Sequence, residues 1–284
     1  MKENWTRIDI GCGAETADVL ASELAEAFGV SVEFTAEGLR LYLDAQRFAA
    51  QEERLRRLVA GVVVQPGEEP VEIALSEIAD EDWSRKWKEH FKPLRVGKRF
   101  IVSPTWEEAP RDSGRLIIRI DPGRAFGTGH HETTRLCLEW LESLARSSPP
   151  GSLLDIGTGS GILAIGAALL GFEEIAAVDN DPEAVETAKE NVLLNGLSGK
   201  IDLRCGTAEE IPTRFDAVVS NIESGPLIRM ARAIASSVRE GGRLGLSGIL
   251  AEQADEVRAE YEKMGFAPTG MSTDGEWVLL AFAK

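Results

Sequence analysis

The sequence predicts an α/β protein in which a mostly parallel sheet, flanked by helices, follows a smaller α+β module. Three observations carry that prediction. From residue 151 onward, short apolar runs alternate regularly with amphipathic stretches, the pattern of strands joined by crossover helices. The run at 152–156 leads into Gly157, Gly159 and Gly161 and then into an apolar helix. Residues 5–78 instead give the order strand-helix-strand-strand-helix-strand, which fits a ferredoxin-like module of about 80 residues.

In the front module, residues 5–11 alternate polar and apolar and read as a strand. Val19, Leu20, Leu24, Ala27 and Phe28 recur at helical spacing over 14–28, and Gly29 ends that helix. Residues 30–34 and 39–43 alternate around Glu37-Gly38, a hairpin. A second amphipathic helix runs over 48–59 and stops at Gly61, and 71–78 alternates again. Residues 80–92 form a polar helix with Trp83 and Trp87 one turn apart, which reads as a link between domains, its tryptophans packed on a neighbour.

Residues 94–102 and 116–120 read as strands, joined by a loop rich in Pro, Glu and Asp. The segment from Asp121 to Thr134 holds Gly127 and Gly129, then His130, His131 and Glu132, before an amphipathic helix with Leu136, Leu138, Trp140, Leu141 and Leu144. Its histidines lack the H-E-x-x-H spacing of a zinc site, and only His90 stands elsewhere, so no metal is expected. Beyond 151, strands are expected at 152–156, 174–179, 200–204, 215–220 and 242–247. Helices fill 161–170, 182–195, 226–239 and 250–264. Asp181-Pro182-Glu183 is a helix start, with Asp181 as cap. Residues 266–271 and 276–282 flank Asp274-Gly275, so the chain closes on a hairpin and the sheet reaches seven strands.

The glycine turn is the chemical centre of this pattern. Glycine lets the backbone turn sharply and lets a ligand approach the main chain, and the next helix offers unpaired N–H groups and a positive dipole end. A dinucleotide fingerprint is G-x-G-x-x-G, but here Ile162 stands where the third glycine belongs. No Gly-Lys-Ser/Thr follows, which argues against a phosphate loop. The form D-x-G-x-G-x-G over 155–161 resembles motif I of the S-adenosylmethionine-dependent methyltransferases. Asp179 lies 22 residues after Gly157, at the tip of the next strand, where a carboxylate accepts both hydroxyls of a ribose.

Several stretches resemble the family of methyltransferases that modify ribosomal large-subunit protein eleven. They are Phe126-Gly-Thr-Gly-His-His-Glu-Thr-Thr134, Asp155–Gly161, Ser220-Asn221-Ile222 with Gly225-Pro226-Leu227, Trp83-x-x-x-Trp87-Lys-x-x-Phe91-Lys-Pro, and Leu246-Ser-Gly-Ile-Leu250. The likeness is loosest before residue 80. It implies the seven-stranded, Rossmann-like methyltransferase sheet, S-adenosyl-L-methionine as methyl donor, and lysine side chains or an N-terminal amine of a basic ribosomal protein as acceptor. It also implies a cytoplasmic monomer, with 1–79 recognising the substrate, 80–92 as linker helix and 93–284 as catalytic domain. Matching positions place Thr134, Gly157, Gly159, Asp179 and Asn221 at the cofactor. Glu223 departs from the small or aliphatic residue usual there.

Amine methylation needs a neutral nitrogen, since only its lone pair attacks. Burial beside a positive sulfonium lowers an amine pKa and supplies that form. The carbonyl of Asn221, at the end of the fourth strand, is the candidate for accepting the amine protons. The alternative for Asn221 is a cap of the next helix. The alternative function is methylation of another protein, a nucleic acid or a small molecule.

Bulk properties set the class. A chain of 284 residues with 43% hydrophobic content supports two cores. Net charge is −16, which argues against nonspecific or stable nucleic-acid binding. Residues 1–82 hold 18 Asp and Glu against 7 Lys and Arg, a net of −11, so an acidic front module is set to meet a basic partner. Cys12, Cys137 and Cys205 are far apart, without C-x-x-C, as expected in a reducing compartment. No 18-residue apolar run suggests a membrane span.

Overall fold

A computed structural model describes residues 4–28, 30, 32–35, 37–62, 71–79, 92–107, 114–121, 131–147, 151–211 and 213–284. The chain divides into two compact units, Met1–His90 and Phe91–Lys284. Trp83, Trp87 and nearly all of the expected linker helix lie outside the described residues, as does the loop 122–130.

The first unit holds β1 (Asn4–Gly11), α1 (Ala14–Phe28), β2 (Glu33–Thr35), β3 (Gly38–Asp44), α2 (Ala45–Gly61) and β4 (Glu72–Ala79). Its strands pair in the order β2-β3-β1-β4, every neighbour antiparallel. Period-two alternation puts Ile8, Ile10, Leu39, Leu41 and Leu43 in one core with Leu20, Leu24 and Phe28 of α1 and Leu55 and Val59 of α2. On the other face of the sheet, Asp9 joins Arg7 and Arg40 in ion pairs of 2.7 and 2.6 Å. The hairpin needs glycine at Gly38. Its φ is +136°, and a Cβ there would stand 2.2 Å from the Ile10 carbonyl oxygen. β2 is shorter than the strand expected over 30–34.

The second unit opens with β5 (Leu94–Val96), β6 (Phe100–Pro104) and β7 (Leu116–Ile120), a three-stranded sheet in that order. The single strand expected over 94–102 is two strands. The break has a physical cause in Glu142, 7% exposed on α3 (Glu132–Ser147), which accepts hydrogen bonds from Lys98 N at 3.0 Å and Arg99 N at 2.8 Å. Those bonds hold the backbone in a turn at Gly97, whose φ is +52°.

The main sheet follows: β8 (Ser152–Ile156), β9 (Glu174–Asp179), β10 (Ile201–Cys205), β11 (Phe215–Asn221), β12 (Val238–Leu250), β13 (Ala267–Asp274) and β14 (Trp277–Ala283). The order is β10-β9-β8-β11-β12-β14-β13. The first five run parallel, and β14 is antiparallel to both of its neighbours. Crossovers use α4 (Ile162–Leu170), α5 (Pro182–Leu194), α6 (Ser224–Arg229), α7 (Ala231–Ser237) and α8 (Ala254–Lys263).

β8 is buried throughout because both faces of the sheet are covered. Leu153, Ala177 and Val219 pack with α3 and α4, while Leu154, Val178 and Val218 pack on the other side with Leu227, Ile234 and Val257. The helix expected over 226–239 is two pieces, α6 and α7, and β12 is longer than the 242–247 expected. Asp181 caps α5 as expected, its side chain accepting from Glu183 N at 2.9 Å.

Candidate functional site

The site is built where β8, β9 and β11 end. In parallel α/β sheets the carboxyl ends of the strands face the ligand crevice. Gly157, Gly159 and Gly161 all adopt positive φ, at +72°, +55° and +81°. A Cβ on Gly157 would also meet Ile222 Cγ2 at 2.5 Å. The turn is tied to β9 by Gly157 N and Thr158 N, which donate to the Val178 carbonyl at 2.9 and 3.0 Å.

Two carboxylates hold this turn. Asp179 accepts from Gly159 N at 2.9 Å through Oδ2 and from Asp181 N at 3.0 Å through Oδ1. It therefore stands at the tip of β9, joined directly to the glycine turn. Asp155 is fully buried. Its Oδ2 accepts from Thr158 Oγ1 at 2.7 Å and Ala164 N at 3.2 Å, so it serves the first turn of α4. Burial pushes its carboxyl up to about 7, while the bonds from Thr158 and Ala164 pull it down and Asp179 pushes it further up.

Across the sheet, β11 ends at Asn221. Its Nδ2 donates to Thr134 Oγ1 at 3.4 Å, which joins the strand end to the first turn of α3. Thr134 itself is fully buried. The cap position of the next helix, α6, is Glu223, with no side-chain cap bond, so Asn221 is not that cap.

The start of α3 is anchored to the closing hairpin. Arg135 donates to Asp274 at 2.6 and 3.0 Å and to Glu132 at 3.1 Å. A backbone hydrogen bond at the helix start, then Arg135, holds the Glu132 carboxyl below its usual range. His131 lies edge-on to Trp277 with centroids 5.0 Å apart, and its Nδ1 is 2.8 Å from Thr133 Oγ1.

Asp155 Oδ1 and Asn221 Oδ1 are buried, and neither has a hydrogen-bond partner. Asp155 pairs in register with Val219 on β11, two residues before Asn221. Side chains two apart share a face, so both oxygens lie on the face covered by α3 and α4. Unsatisfied buried acceptors are costly and call for a donor or a cation.

A profile described as "Ribosomal protein L11 methyltransferase (PrmA)" matches residues 4–284. The chain belongs to this family. It is 38% identical to a ribosomal protein L11 methyltransferase of Pelobacter propionicus, over 100% of this chain and 99% of that protein. It is 46% identical to one of Azotobacter vinelandii, over 78% of this chain and 74% of that protein. Among solved structures, a ribosomal protein L11 methylase of Lactobacillus delbrueckii subsp. bulgaricus superposes with a TM-score of 0.64 and 31% identity. That match covers 68% of this chain and 99% of the other.

Of the residues expected at the site of this L11 methyltransferase family member, the structure brings Thr134 and Asn221 together, and likewise Gly159 and Asp179. Gly157 lies against Ile222, the residue after Asn221. Sequence reasoning missed three features. Ile222 is gripped from two sides, because a Cβ on Gly248 would meet its carbonyl oxygen at 2.3 Å. Asn191 on α5 and Asn195, the C-cap four residues on, bond to backbone beyond that helix; their spacing was the available signal. Asp155 carries an unpaired oxygen, and only burial reveals that.

A groove lined by Glu173, Glu174, Lys200, Asp202 and Arg204 lies toward the opposite, amino ends of β9, β10 and β11. Among the described residues, no group of three His, Cys, Asp or Glu is placed to hold a metal, and no helix is long and apolar enough to cross a membrane.

Proposed function

We propose that this chain methylates amino groups of ribosomal protein L11, on lysine side chains or the N-terminus, with S-adenosyl-L-methionine as donor. The observation that carries the reading is the pair of buried, unpartnered oxygens beside a three-glycine turn. The donor set fits: two oxygen acceptors suit a ligand that is positively charged and an amine that must be neutral and aimed. When bound, S-adenosylmethionine supplies an activated methyl group on a sulfonium. Asp179 would hold the ribose hydroxyls, and the backbone at Gly157 and Gly159 admits close approach. Once ionised, Asp155 offers at Oδ1 a negative acceptor to a cationic group, and Thr134 fixes the amide of Asn221. Asn221 Oδ1 accepts an N–H of the incoming amine and directs its lone pair, so that positioning supplies most of the acceleration.

The finer assignments follow from the same reading. Residues 1–79 are a ferredoxin-like recognition module, supported by the strand order β2-β3-β1-β4 and by its acidic charge. Residues 80–92 link it to a catalytic domain over 93–284. The protein works as a cytoplasmic monomer, without stable nucleic-acid binding. Incubation with labelled cofactor and total ribosomal protein tests the reading. Label in one small basic protein is the expected result, and label in RNA or in metabolites alone would overturn it.

A further inference from the structure

The glycine turn is braced from beneath by one face of α5. Ala188 and Asn191, three apart, share that face, and Asn195 is the C-cap that ends the helix. A Cβ on Gly161 would stand 3.1 Å from Ala188 Cβ, which sets how closely the turn sits on the helix. Asn191 is completely buried. Its Nδ2 donates to the Ser160 carbonyl at 2.9 Å, and its Oδ1 accepts from Asp121 N at 2.9 Å. Both partners are backbone groups of fixed polarity, so the amide has one satisfactory orientation. Asn195 differs. It brackets Arg119, donating to its carbonyl at 2.7 Å and accepting from its N–H at 2.8 Å. It also donates to the Asn191 carbonyl at 2.8 Å and makes none of its bonds to the turn.

We propose that Asn191 is a positioning residue for the cofactor: it fixes the carbonyl between Gly159 and Gly161 and thereby sets the turn against which the cofactor lies. This rests on the cofactor reading above. The turn has three positive-φ glycines and hence little intrinsic stiffness. A buried hydrogen bond at its centre holds it in the binding conformation before the ligand arrives. Asn191 touches no reacting atom, so its effect belongs to affinity and not to the chemical step.

The test compares Asn191→Leu with Asn195→Ala in the full chain. Calorimetry with S-adenosylhomocysteine measures binding, and thermal unfolding measures stability. Both variants should melt earlier, because each loses bonds to the 119–121 backbone at the end of β7. Only Asn191→Leu should weaken binding, by roughly tenfold, the equivalent of one hydrogen bond. Its KM for the cofactor should rise to match, with kcat at saturating cofactor within about twofold of wild type. Wild-type affinity in Asn191→Leu, or equal weakening in Asn195→Ala, would overturn the assignment. Should Asn191→Leu fail to fold, Asn191→Ser makes the same comparison with less disruption. Failure of the wild type to bind at all would instead overturn the cofactor reading.

Discussion

Replacing Asp155 by Asn separates the electrostatics of the glycine turn from its packing. Burial pushes the Asp155 carboxyl from an ordinary 3.8 up to about 7. The folded chain therefore keeps a proton at Asp155 over a range where the unfolded chain has released it. The stability this contributes is complete below the unfolded value and is lost as pH rises through about 7. At about 1.4 kcal/mol per pH unit, that rise is worth on the order of 4 kcal/mol. Asn keeps the shape and stays neutral at every pH. Urea unfolding from about pH 4 to 8 should show wild-type stability falling relative to Asp155→Asn as pH rises. A cationic ligand group beside Oδ1 acts in the opposite sense, because it favours the carboxylate. Wild-type affinity for S-adenosylmethionine should thus climb between about pH 5.5 and 7.5, below the range in which an α-amine titrates. The affinity of Asp155→Asn should stay flat. Parallel stability curves for the two proteins, or the same pH profile of affinity, would refute the reasoning.

Asp179→Ala removes a proposed ribose acceptor and a bond to Gly159 N; calorimetry should show cofactor affinity reduced by about 1.5–3 kcal/mol. Asn221→Ala should lower kcat far more than cofactor affinity. Asn221→Asp should retain more activity and gain rate as pH rises, since its charge holds the amine protonated; steady-state kinetics across pH decide. Glu142→Ala leaves Lys98 N and Arg99 N without their acceptor and should cost about 1–3 kcal/mol in urea unfolding. Deleting residues 1–79 should leave a protein that binds cofactor, because Phe91–Lys284 is a compact unit, but loses methylation of L11; undiminished L11 labelling would count against the division of labour.

The centre of the parallel half was legible because β8 and β9 are apolar on both faces and the helices that follow them have punctuation. Asp181-Pro182 starts α5, and Gly171 ends α4 in a left-handed conformation at φ +99°. Boundaries failed where tertiary contacts override local pattern. Glu142 breaks 94–102 into two strands from 43 and 44 residues away. Likewise the break between α6 and α7 falls at Met230, with no proline or glycine to mark it. At the candidate site, spacing pointed to the Gly157 turn and Asp179, and the family resemblance pointed to Asn221. Neither gave an account of Ile222, because contact between Gly157, Gly248 and Ile222 joins three segments distant in sequence. Nor could spacing distinguish Asn191 from any other polar residue on a helix, since what matters is which backbone groups its amide meets.

Satisfaction of buried polar groups shows where this unit reserves binding capacity. Ser220 Oγ donates to the Ile156 carbonyl at 2.9 Å, and Ser247 Oγ to the Val278 carbonyl at 2.9 Å. Tyr261, fully buried, donates to the Leu227 carbonyl at 3.0 Å. Asn191 spends both ends of its amide on backbone. Among the described side chains of Phe91–Lys284, the buried oxygens left without a partner are Asp155 Oδ1 and Asn221 Oδ1. Leaving an acceptor unsatisfied costs about 1–3 kcal/mol, and the other described buried side-chain oxygens of this unit avoid that cost. Both exceptions lie on one face, at the ends of adjacent strands, where Thr134 and Thr158 hold the rest of each side chain in place. A ligand that supplies the missing donor or positive charge recovers this energy without reorganising the site, which is how preorganised polar groups favour a developing charge distribution.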